Sequence, residues 1–204
     1  PMPGVEVKIA EDGEILAKGP NIMLGYYNMP EASAETLKDG WLHTVDIGHF
    51  DDDGNLVITD RKKDLIVTAG GKNVAPQPIE NKLKTDRFIA EAILLGDGRP
   101  YMVALIVPDF ANLESYAAHK EITVANWTEL AANERVRDLI RRRLAHHQRH
   151  AAPYETIKKF HLLDQELSVE ANELTPTLKV KRKTISTRYA SEIEALYAES
   201  NADA

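Results

Sequence analysis

The stretch that decides the fold runs from His43 to Pro76 and reads HTVDIGHFDDDGNLVITDRKKDLIVTAGGKNVAP. Its first part predicts two strands around a tight turn, because strand-like apolar residues flank an Asp-Asp-Asp-Gly sequence. This arrangement leaves Asp46 near the end of the first strand and Asp60-Arg61 at the end of the second. Strands hold such polar residues in place while their tips face solvent, so the pattern favours a ligand site here.

Four short patterns follow one another within this stretch: T-x-D-x-G, D-x-x-G-x-L, D-R-x-K-D and G-G-x-N-V-x-P. A fifth, LTPTLKVKRK, lies at residues 174–183. In this order and at these separations, they resemble the adenylate-forming superfamily, which includes acyl-CoA synthetases, luciferases and the adenylation domains of peptide synthetases. The fifth pattern resembles the long-chain fatty acyl-CoA synthetases in particular, because Leu178 stands where many other branches have Gly. The resemblance extends from Pro1 to about Tyr197.

Length, composition and charge narrow the class of protein. The chain has 204 residues, 43% of them hydrophobic and 28% charged, which suits one large or two small globular domains. It has no Cys, so a disulfide framework, a thiol nucleophile and a Cys-ligated metal are excluded. A net charge of −7 argues against a general nucleic-acid-binding protein, which needs a basic face. No apolar run approaches the roughly 20 residues of a transmembrane helix. We therefore expect a cytoplasmic protein, with at most peripheral membrane contact.

The resemblance implies an α+β fold in two unequal parts. Residues 1–60 are expected to be the β-rich C-terminal end of a large N-terminal domain. Residues 61–204 are expected to be a mobile C-terminal domain, a small antiparallel sheet flanked by helices, and the charged run 61–64 is the expected joint. The first two strands form a hairpin that is marginal alone, and the sequence has no Gly-rich phosphate loop. We therefore expect the chain to be the C-terminal part of a longer enzyme and to be inactive by itself.

Apolar spacing, turn residues and capping residues predict the individual helices and strands. Strands are predicted at Val5–Ile9, Glu14–Ala17, Ile89–Leu95, Tyr101–Val107 and Phe160–Leu163. Helices are predicted from Pro30 to Asp39, from Pro78 to Lys84, after the capping residues Asp109 and Asn133, and over about 184–197. The last helix has an apolar stripe, predicted to be buried, of Ile185, Tyr189, Ile193 and Leu196.

Asp46 and Arg61 are the candidates for binding a nucleotide. A carboxylate can accept two hydrogen bonds from neighbouring ribose hydroxyls, and a planar guanidinium can reach the same ribose or the phosphates. In the family that the chain resembles, the residues matching Asp46 and Arg61 contact ATP. Two alternatives stay open. Asp46 could only form a turn at a strand end, and Arg61 could pair at the surface with Asp60 or Asp64, a kind of pair worth about 0–1 kcal/mol.

Lys179 is the candidate catalytic residue. When a fatty carboxylate attacks the α-phosphate of ATP, two anions meet and negative charge concentrates in the transition state. A positioned ammonium group stabilises that charge, with Mg²⁺ screening the departing pyrophosphate. Taken alone, Lys179, Lys181, Arg182 and Lys183 are typical of a solvated basic run. The Thr-Pro-Thr sequence at 175–177, which fixes an extended approach, and the family resemblance favour catalysis instead.

Gly70, Gly71 and Lys63 are expected to serve the transfer to CoA. The two glycines have no Cβ, so a thin ligand can approach their backbone closely. By resemblance, this turn borders the channel for the pantetheine arm of CoA, but a tight turn that needs positive φ explains both glycines equally well. Lys63 matches, by resemblance alone, the residue about which the small domain of the family rotates. Nothing else in the sequence distinguishes it from Lys62.

A histidine cluster near the end of the second predicted long helix invites a metal site. His146 and His150 have i,i+4 spacing on one helix face, next to His147. No nearby carboxylate in the sequence completes a ligand set, and neighbouring arginines would repel a cation, so a solvated helix end is favoured and no metal ligand is predicted. The Arg141–Arg143 run and the Lys158-Lys159 pair are weak candidates for binding acidic lipid or the phosphates of CoA.

Together, these patterns predict by resemblance the C-terminal part of a long-chain fatty acid–CoA ligase. Such an enzyme forms acyl-AMP and pyrophosphate from a fatty acid and ATP, then passes the acyl group to CoA. Two alternatives stay open: a fatty acyl-AMP ligase that serves a carrier protein, and a non-catalytic nucleotide- or protein-binding module of the same fold. The expected partners of the full-length enzyme are long-chain fatty acid, ATP, Mg²⁺ and CoA, and no nucleic acid.

Overall fold

The computed structural model describes residues 2–198, and the chain divides into two compact units, residues 1–65 and 66–204. Pro1 and residues 199–204, which the predicted domains include, lie outside the described residues. The division falls after Leu65, so the charged run 61–64 belongs to the first unit. The assignment of residues 1–60 and 61–204 to two domains of a larger enzyme stays a prediction. Within the described residues, no helix is long and apolar enough to cross a membrane.

The first unit is a five-stranded sheet with one short helix. Its strands are β1 (Glu6–Ile9), β2 (Glu14–Lys18), β3 (Leu37–Lys38), β4 (Trp41–Phe50) and β5 (Leu56–Arg61), and its helix is α1 (Pro30–Thr36). The strand order is β1-β2-β4-β3, with β5 paired to β4, and every pair is antiparallel. A 3-10 turn at Lys62–Asp64 follows β5.

A bulge interrupts the pairing of β4 with β2. His43 lies opposite Leu16, whereas Ile47 lies opposite Glu14, so three residues of β4 face a single residue of β2. Val45 lies inside this bulge with a φ of 63°, a left-handed conformation that is an outlier for a β-branched residue. Bulges bend a strand and redirect its side chains, and they are frequent beside functional sites.

Two glycines of the predicted patterns are required by this sheet. At Gly48, a Cβ would lie 2.3 Å from the carbonyl oxygen of Val57 and 2.8 Å from Cδ1 of Ile15, so only glycine fits between the strands. Gly54 has a φ of 78° in the turn between β4 and β5, which glycine adopts without steric cost. Strand packing at Gly48 and positive φ at Gly54 therefore explain the glycines of T-x-D-x-G and D-x-x-G-x-L.

The second unit mixes helices and short strands. Its strands are β6 (Ile66–Val67), β7 (Asn73–Val74), β8 (Ile89–Leu95), β9 (Met102–Pro108) and β10 (Ile157–Leu162). Its helices are α2 (Pro76–Leu83), α3 (Phe110–His119), α4 (Trp127–Ala132), α5 (Glu134–His147), α6 (Arg182–Arg188) and α7 (Ala190–Ala198). β6 and β7 form a hairpin, and the other strands form a sheet in the order β10-β9-β8.

The central strand β9 lies at the middle of the core of the second unit. All of its residues are buried, as expected for a strand that has neighbours on both edges and is covered on its faces. Leu83 of α2, Ile140 of α5 and Ile193 of α7 belong to the same buried cluster. These three helices are therefore anchored to one apolar core.

The predicted α+β class is confirmed by this architecture. The side chains of Asp109 and Asn133 cap α3 and α5 as predicted, accepting hydrogen bonds from backbone N–H groups of those helices. The predicted stripe of the last helical segment is buried. β8 and β9 form the predicted antiparallel hairpin.

Four elements differ from the predictions. β10 pairs with β9 in parallel, because α3 to α5 form a crossover that returns the chain to the same end of the sheet. Helix α2 begins at Pro76, and the short helix α4 was not predicted. The last helix is two helices, since Tyr189 between them has φ −103° and ψ 29°; its hydroxyl donates to the buried carboxylate of Glu173 at 3.2 Å.

Candidate functional site

Asp46 and Arg61 form one ion pair at the sheet of the first unit. They lie opposite each other in the β4–β5 register, and Nε of Arg61 donates to Oδ1 of Asp46 at 2.7 Å. The Arg61 side chain is 62% exposed and that of Asp46 is 25% exposed, so solvent or a ligand can reach both. Arg61 therefore pairs with the other predicted site residue.

The threonine of the T-x-D-x-G pattern fixes the backbone next to Asp46. Its hydroxyl, Oγ1 of Thr44, donates to the carbonyl of Ile15 at 2.7 Å and accepts from the backbone N–H of Asp46 at 3.1 Å. The threonine thus ties the bulge of β4 to β2 at the residue that carries the candidate carboxylate. Asp46 belongs to a strand, and the alternative that it only forms a turn does not apply.

A buried carboxylate that the sequence analysis did not single out lies behind this bulge. Glu14 accepts hydrogen bonds from the backbone N–H of Val45 at 2.9 Å, from Nδ1 of His43 at 3.1 Å and from Nζ of Lys62 at 3.0 Å. Burial opposes its ionisation, but these bonds outweigh burial and hold the pKa of Glu14 below its ordinary value. The available signal was a charged residue at the start of β2, directly before the apolar Ile15 and Leu16.

The structure distinguishes Lys62 from Lys63, which the sequence alone could not do. Nζ of Lys62 lies 2.6 Å from Oδ2 of Asp12 as well as bonding Glu14, and these two bonds raise the pKa of Lys62 above its ordinary value. Lys63 follows in the 3-10 turn and is exposed. The last side chain held to the sheet before the predicted pivot is therefore that of Lys62.

Gly70 and Gly71 lie at the tip of the β6–β7 hairpin. Gly71 has a φ of 71°, and its N–H donates to the carbonyl of Thr68 at 2.8 Å, so the turn itself requires glycine there. At Gly70, by contrast, a Cβ would meet only Oγ1 of Thr68 at 3.9 Å, an ordinary contact. The turn therefore explains Gly71 but does not explain Gly70.

The hairpin is bound to the turn between β8 and β9. The N–H of Ala69 donates to the carbonyl of Arg99 at 2.9 Å, and the N–H of Gly98 donates to the carbonyl of Val67 at 2.8 Å. Oδ1 of Asp97 accepts from the N–H of Val67 at 3.0 Å. Because these bonds join the hairpin to the central sheet, its glycine tip is a fixed surface rather than a loose loop.

Lys179 is exposed in a short loop whose backbone is held by Thr175. The N–H of Thr175 donates to the carbonyl of Lys179 at 2.8 Å, and Oγ1 of Thr175 accepts from the N–H of Lys179 at 3.0 Å. Leu178 completes the turn with a φ of 59° and is 69% exposed. A left-handed residue is most easily glycine, which explains why Gly would suit this position.

Arg182, read from the sequence as part of a solvated basic run, is instead an anchor of α6. Its guanidinium makes two bonds to the carboxylate of Glu80, at 2.7 and 3.0 Å, and a third to the carbonyl of Leu94 at 2.6 Å. Glu80 also accepts from the N–H of Leu94 at 2.7 Å. α6 is therefore tied to α2 and β8 three residues after Lys179, with a bidentate geometry that lysine could not supply.

In the histidine cluster, His146 and His150 are exposed, as the prediction of a solvated helix end requires, but His147 is not. His147 is packed against the fully buried carboxylate of Asp86, with Nε2 3.0 Å from Oδ2, and Arg143 bonds the same oxygen. The sequence could not show this carboxylate because it lies 61 residues away along the chain. His146 contacts Arg149 instead. Within residues 2–198, no group of three or more metal-ligating side chains could hold an ion.

Comparisons with known proteins add to this geometry. The family model for the AMP-binding enzyme C-terminal domain matches residues 63–201. The chain is 39% identical over 198 residues to long-chain-fatty-acid–CoA ligase FadD15 of Mycobacterium tuberculosis, covering 97% of this chain and 33% of that protein. It is 36% identical over 225 residues to the human long-chain-fatty-acid–CoA ligase ACSBG1, covering 97% and 31%. The chain thus spans about a third of the length of these curated relatives.

The fold is similar to a solved structure as well. The adenylation domain of a carboxylate reductase from Mycobacterium chelonae superposes with a TM-score of 0.72 at 23% sequence identity. The match covers 95% of this chain and 31% of that one. At this identity the likeness concerns the fold.

Proposed function

The chain belongs to the family of AMP-binding enzyme C-terminal domains, and on that basis we propose that it forms part of an enzyme that activates long-chain fatty acids with ATP and transfers the acyl group to CoA. The relatives named as long-chain-fatty-acid–CoA ligases support this substrate class. Because the chain spans about a third of those relatives, the proposed activity is that of the whole protein. The observation that carries the proposal is the turn of Lys179, whose backbone is fixed while its ammonium group faces solvent.

In the proposed adenylation step, Lys179 stabilises the negative charge that builds between the fatty carboxylate and the α-phosphate of ATP. A preorganised ammonium group is effective here because it needs no reorganisation as the charge develops. Asp46 accepts hydrogen bonds from the ribose hydroxyls through its exposed carboxylate, and Arg61 orients that carboxylate and faces the same nucleotide. No described residues of this chain fit Mg²⁺, so any Mg²⁺ that screens the pyrophosphate is assigned to ATP and to other parts of the enzyme.

In the proposed transfer step, the part of the predicted domain 61–204 that follows Lys63 rotates about this residue and brings the glycine hairpin to the acyl-AMP. Gly70 lets the pantetheine arm of CoA pass close to the backbone, because no side chain projects from the tip at that residue. The exposed position of Lys63, after the anchored Lys62, supports its role as the pivot. Domain movements of this kind are absorbed by a few residues at the end of an element.

The test uses the Gly70→Ala variant of the whole enzyme. A Cβ at this position meets no close neighbour within its own unit, so the folded structure should be unaffected. We expect fatty-acid-dependent exchange of pyrophosphate into ATP to stay within about twofold of wild type. Acyl-CoA formation should fall about tenfold or more, since even ~1.4 kcal/mol of steric obstruction has that effect. The exchange reaction of the same variant is the internal control.

Other outcomes point to the alternatives. A wild-type enzyme that releases acyl-AMP but forms no acyl-CoA is an acyl-AMP ligase serving another acceptor. An enzyme without exchange activity, with any fatty acid, is a binding module. Undiminished acyl-CoA formation by Gly70→Ala removes Gly70 from the CoA channel.

A further inference from the structure

Glu14 is a buried charge that the proposed reaction does not use directly. Its side chain is 4% exposed, and an ionised carboxylate at such a site is costly unless several donors compensate it. The two oxygens of Glu14 accept hydrogen bonds from different parts of the chain. Oε1 bonds the backbone of Val45, whereas Oε2 bonds Lys62 and His43.

The bond from Oε1 acts on the strained residue of the bulge. Val45 has a φ of 63°, and such a conformation persists only where the surroundings determine it. The N–H of Val45 has left the regular ladder between β2 and β4, and Glu14 supplies its acceptor at 2.9 Å. Asp46 is the next residue, so its carboxylate is directed by the backbone that Glu14 holds.

The bond from Oε2 acts on the residue before the predicted pivot. Nζ of Lys62 lies 3.0 Å from this oxygen and 2.6 Å from Oδ2 of Asp12. Lys62 thus joins the 3-10 turn to β2 and to the turn before it. One carboxylate therefore holds both the bulge next to Asp46 and the chain next to Lys63.

We propose that Glu14 is a positioning residue that sets the orientation of the nucleotide-binding carboxylate of Asp46 and fixes the stationary side of the joint at Lys63. Glu14 itself is covered by the sheet and acts through Val45 and Lys62. The inference rests on the proposed function, because it assigns to Asp46 and Lys63 the roles given there.

Two substitutions in the whole enzyme separate the two bonds. Glu14→Leu removes both, whereas Lys62→Met removes only the bond to the joint. For Glu14→Leu we expect the apparent KM for ATP in pyrophosphate exchange to rise at least tenfold. For Lys62→Met we expect the KM for ATP to stay within twofold, while the ratio of acyl transfer to exchange changes at least threefold. Glu11→Gln, an exposed Glu three residues away, is the control and should match wild type.

Two double variants distinguish positioning from general loss of structure. If Glu14 acts through Asp46, Glu14→Leu should add less than twofold to the KM for ATP of Asp46→Ala, whereas independent effects multiply. Val45→Gly should restore the KM for ATP of Glu14→Leu to within about threefold of wild type, because glycine adopts positive φ without a supporting hydrogen bond. Multiplying effects, or an unchanged KM for ATP in folded Glu14→Leu, would overturn the proposal.

Two further measurements keep the test decisive. If Glu14→Leu does not fold, Glu14→Gln is tested in its place. The glutamine side chain keeps an oxygen for the N–H of Val45 but presents an amide group to Lys62. Glu14→Gln should then behave like Lys62→Met, and a wild-type profile would count against the proposal. If the wild-type enzyme shows no exchange activity, the proposed function fails and the role of Glu14 is judged from a crystal structure. The crystal structure is that of Glu14→Leu or, if this variant does not fold, of Glu14→Ala. A φ near 63° at Val45 in the variant refutes the positioning role. A shift of Val45 out of the left-handed region supports it.

Discussion

Among the described residues, Asp46 is the one that we propose contributes most directly to nucleotide binding. One of its oxygens bonds Arg61, and a quarter of its side chain is exposed. Thr44 and the bulge at Val45 fix its backbone. These features leave a carboxylate of defined orientation open to a ribose.

The Asp46→Ala variant should therefore lose apparent affinity for ATP. One or two charge-assisted hydrogen bonds at about 1.5–3 kcal/mol each correspond to at least a tenfold rise in the KM for ATP. The measurement is the ATP dependence of pyrophosphate exchange by the whole enzyme. Asp52→Ala, which removes an exposed carboxylate from the neighbouring turn, should leave the KM unchanged. If Asp46→Ala behaves like Asp52→Ala, Asp46 is not part of the nucleotide site.

For single residues, the sequence identifies those that belong to a short recognisable pattern. It does not identify residues whose contacts are made with residues far away along the chain. The sequence singles out Asp46 and Arg61 separately but does not show that they pair, because the pairing depends on the β4–β5 register. Glu14 was missed because its donors lie about 30 to 50 residues away along the chain. Arg182 was read as solvated because nothing near it in the sequence indicates Glu80.

Among the elements, α6 is held by a contact that also limits how far the Lys179 loop can move. Arg182, at the start of α6, joins Glu80 of α2 and the backbone of β8. Its side chain is 27% exposed, so the pair is only partly shielded by the protein.

Arg182→Met should destabilise the second unit markedly. Breaking a buried pair costs about 3–5 kcal/mol, and we expect about 2–3 kcal/mol here because part of the pair faces solvent. Urea unfolding of the chain measures the difference. The adjacent Lys183 is exposed, and Lys183→Met should change the free energy of unfolding by less than about 0.5 kcal/mol. Equal stabilities of the two variants would show that the Glu80 contact does not anchor α6.

α5 is joined to the chain before β8 by a second buried carboxylate, Asp86. Burial raises its pKa, but hydrogen bonds from the backbone of Phe88, from Arg143 and from His147 outweigh burial, so the pKa is lowered overall. A lowered folded-state pKa means that the carboxylate stabilises the fold above its unfolded pKa. This contribution is lost as the pH falls through the folded-state value.

Asp86→Asn should therefore destabilise the chain at pH 7 by about 2–3 kcal/mol, the size of hydrogen bonds to a charged group. The difference from wild type should shrink as the pH falls below about 4, the ordinary Asp value. Urea unfolding at pH 7 and pH 3 gives the two differences, with the exposed Asp138→Asn as the control. A difference that is the same at both pH values would contradict the assignment.

The elements themselves were largely predictable where local chemistry decides them. Capping by Asp109 and Asn133 and the β8–β9 turn act within a few residues. The parallel pairing of β10 and the break at Tyr189 depend on tertiary contacts, namely the crossover helices and the Glu173 carboxylate. The spacing of apolar residues along the sequence cannot predict such contacts, because it indicates which residues are buried but not which residues they contact.

For the molecule as a whole, the resemblance to adenylate-forming enzymes is confirmed by the family match and by relatives at 36–39% identity. The patterns made this possible because several of their residues are fixed by the fold, such as Gly48 between strands and Gly71 at positive φ. Rotation of residues 61–204, and the separate duties of Lys179 and Gly70, stay predictions. Their common claim is that Lys179 serves adenylation and not acyl transfer.

The most direct test of this claim compares two reactions of the Lys179→Ala variant of the whole enzyme: ATP plus fatty acid, and synthetic acyl-AMP plus CoA. Losing one preorganised charge at the phosphoryl centre should slow the first by about 10²–10³. The second should stay within about threefold, because the rotated domain has carried residue 179 away. Lys183→Ala, an exposed neighbour, should leave both rates unchanged. A folded Lys179→Ala enzyme in which both reactions fall by the same factor would contradict the account.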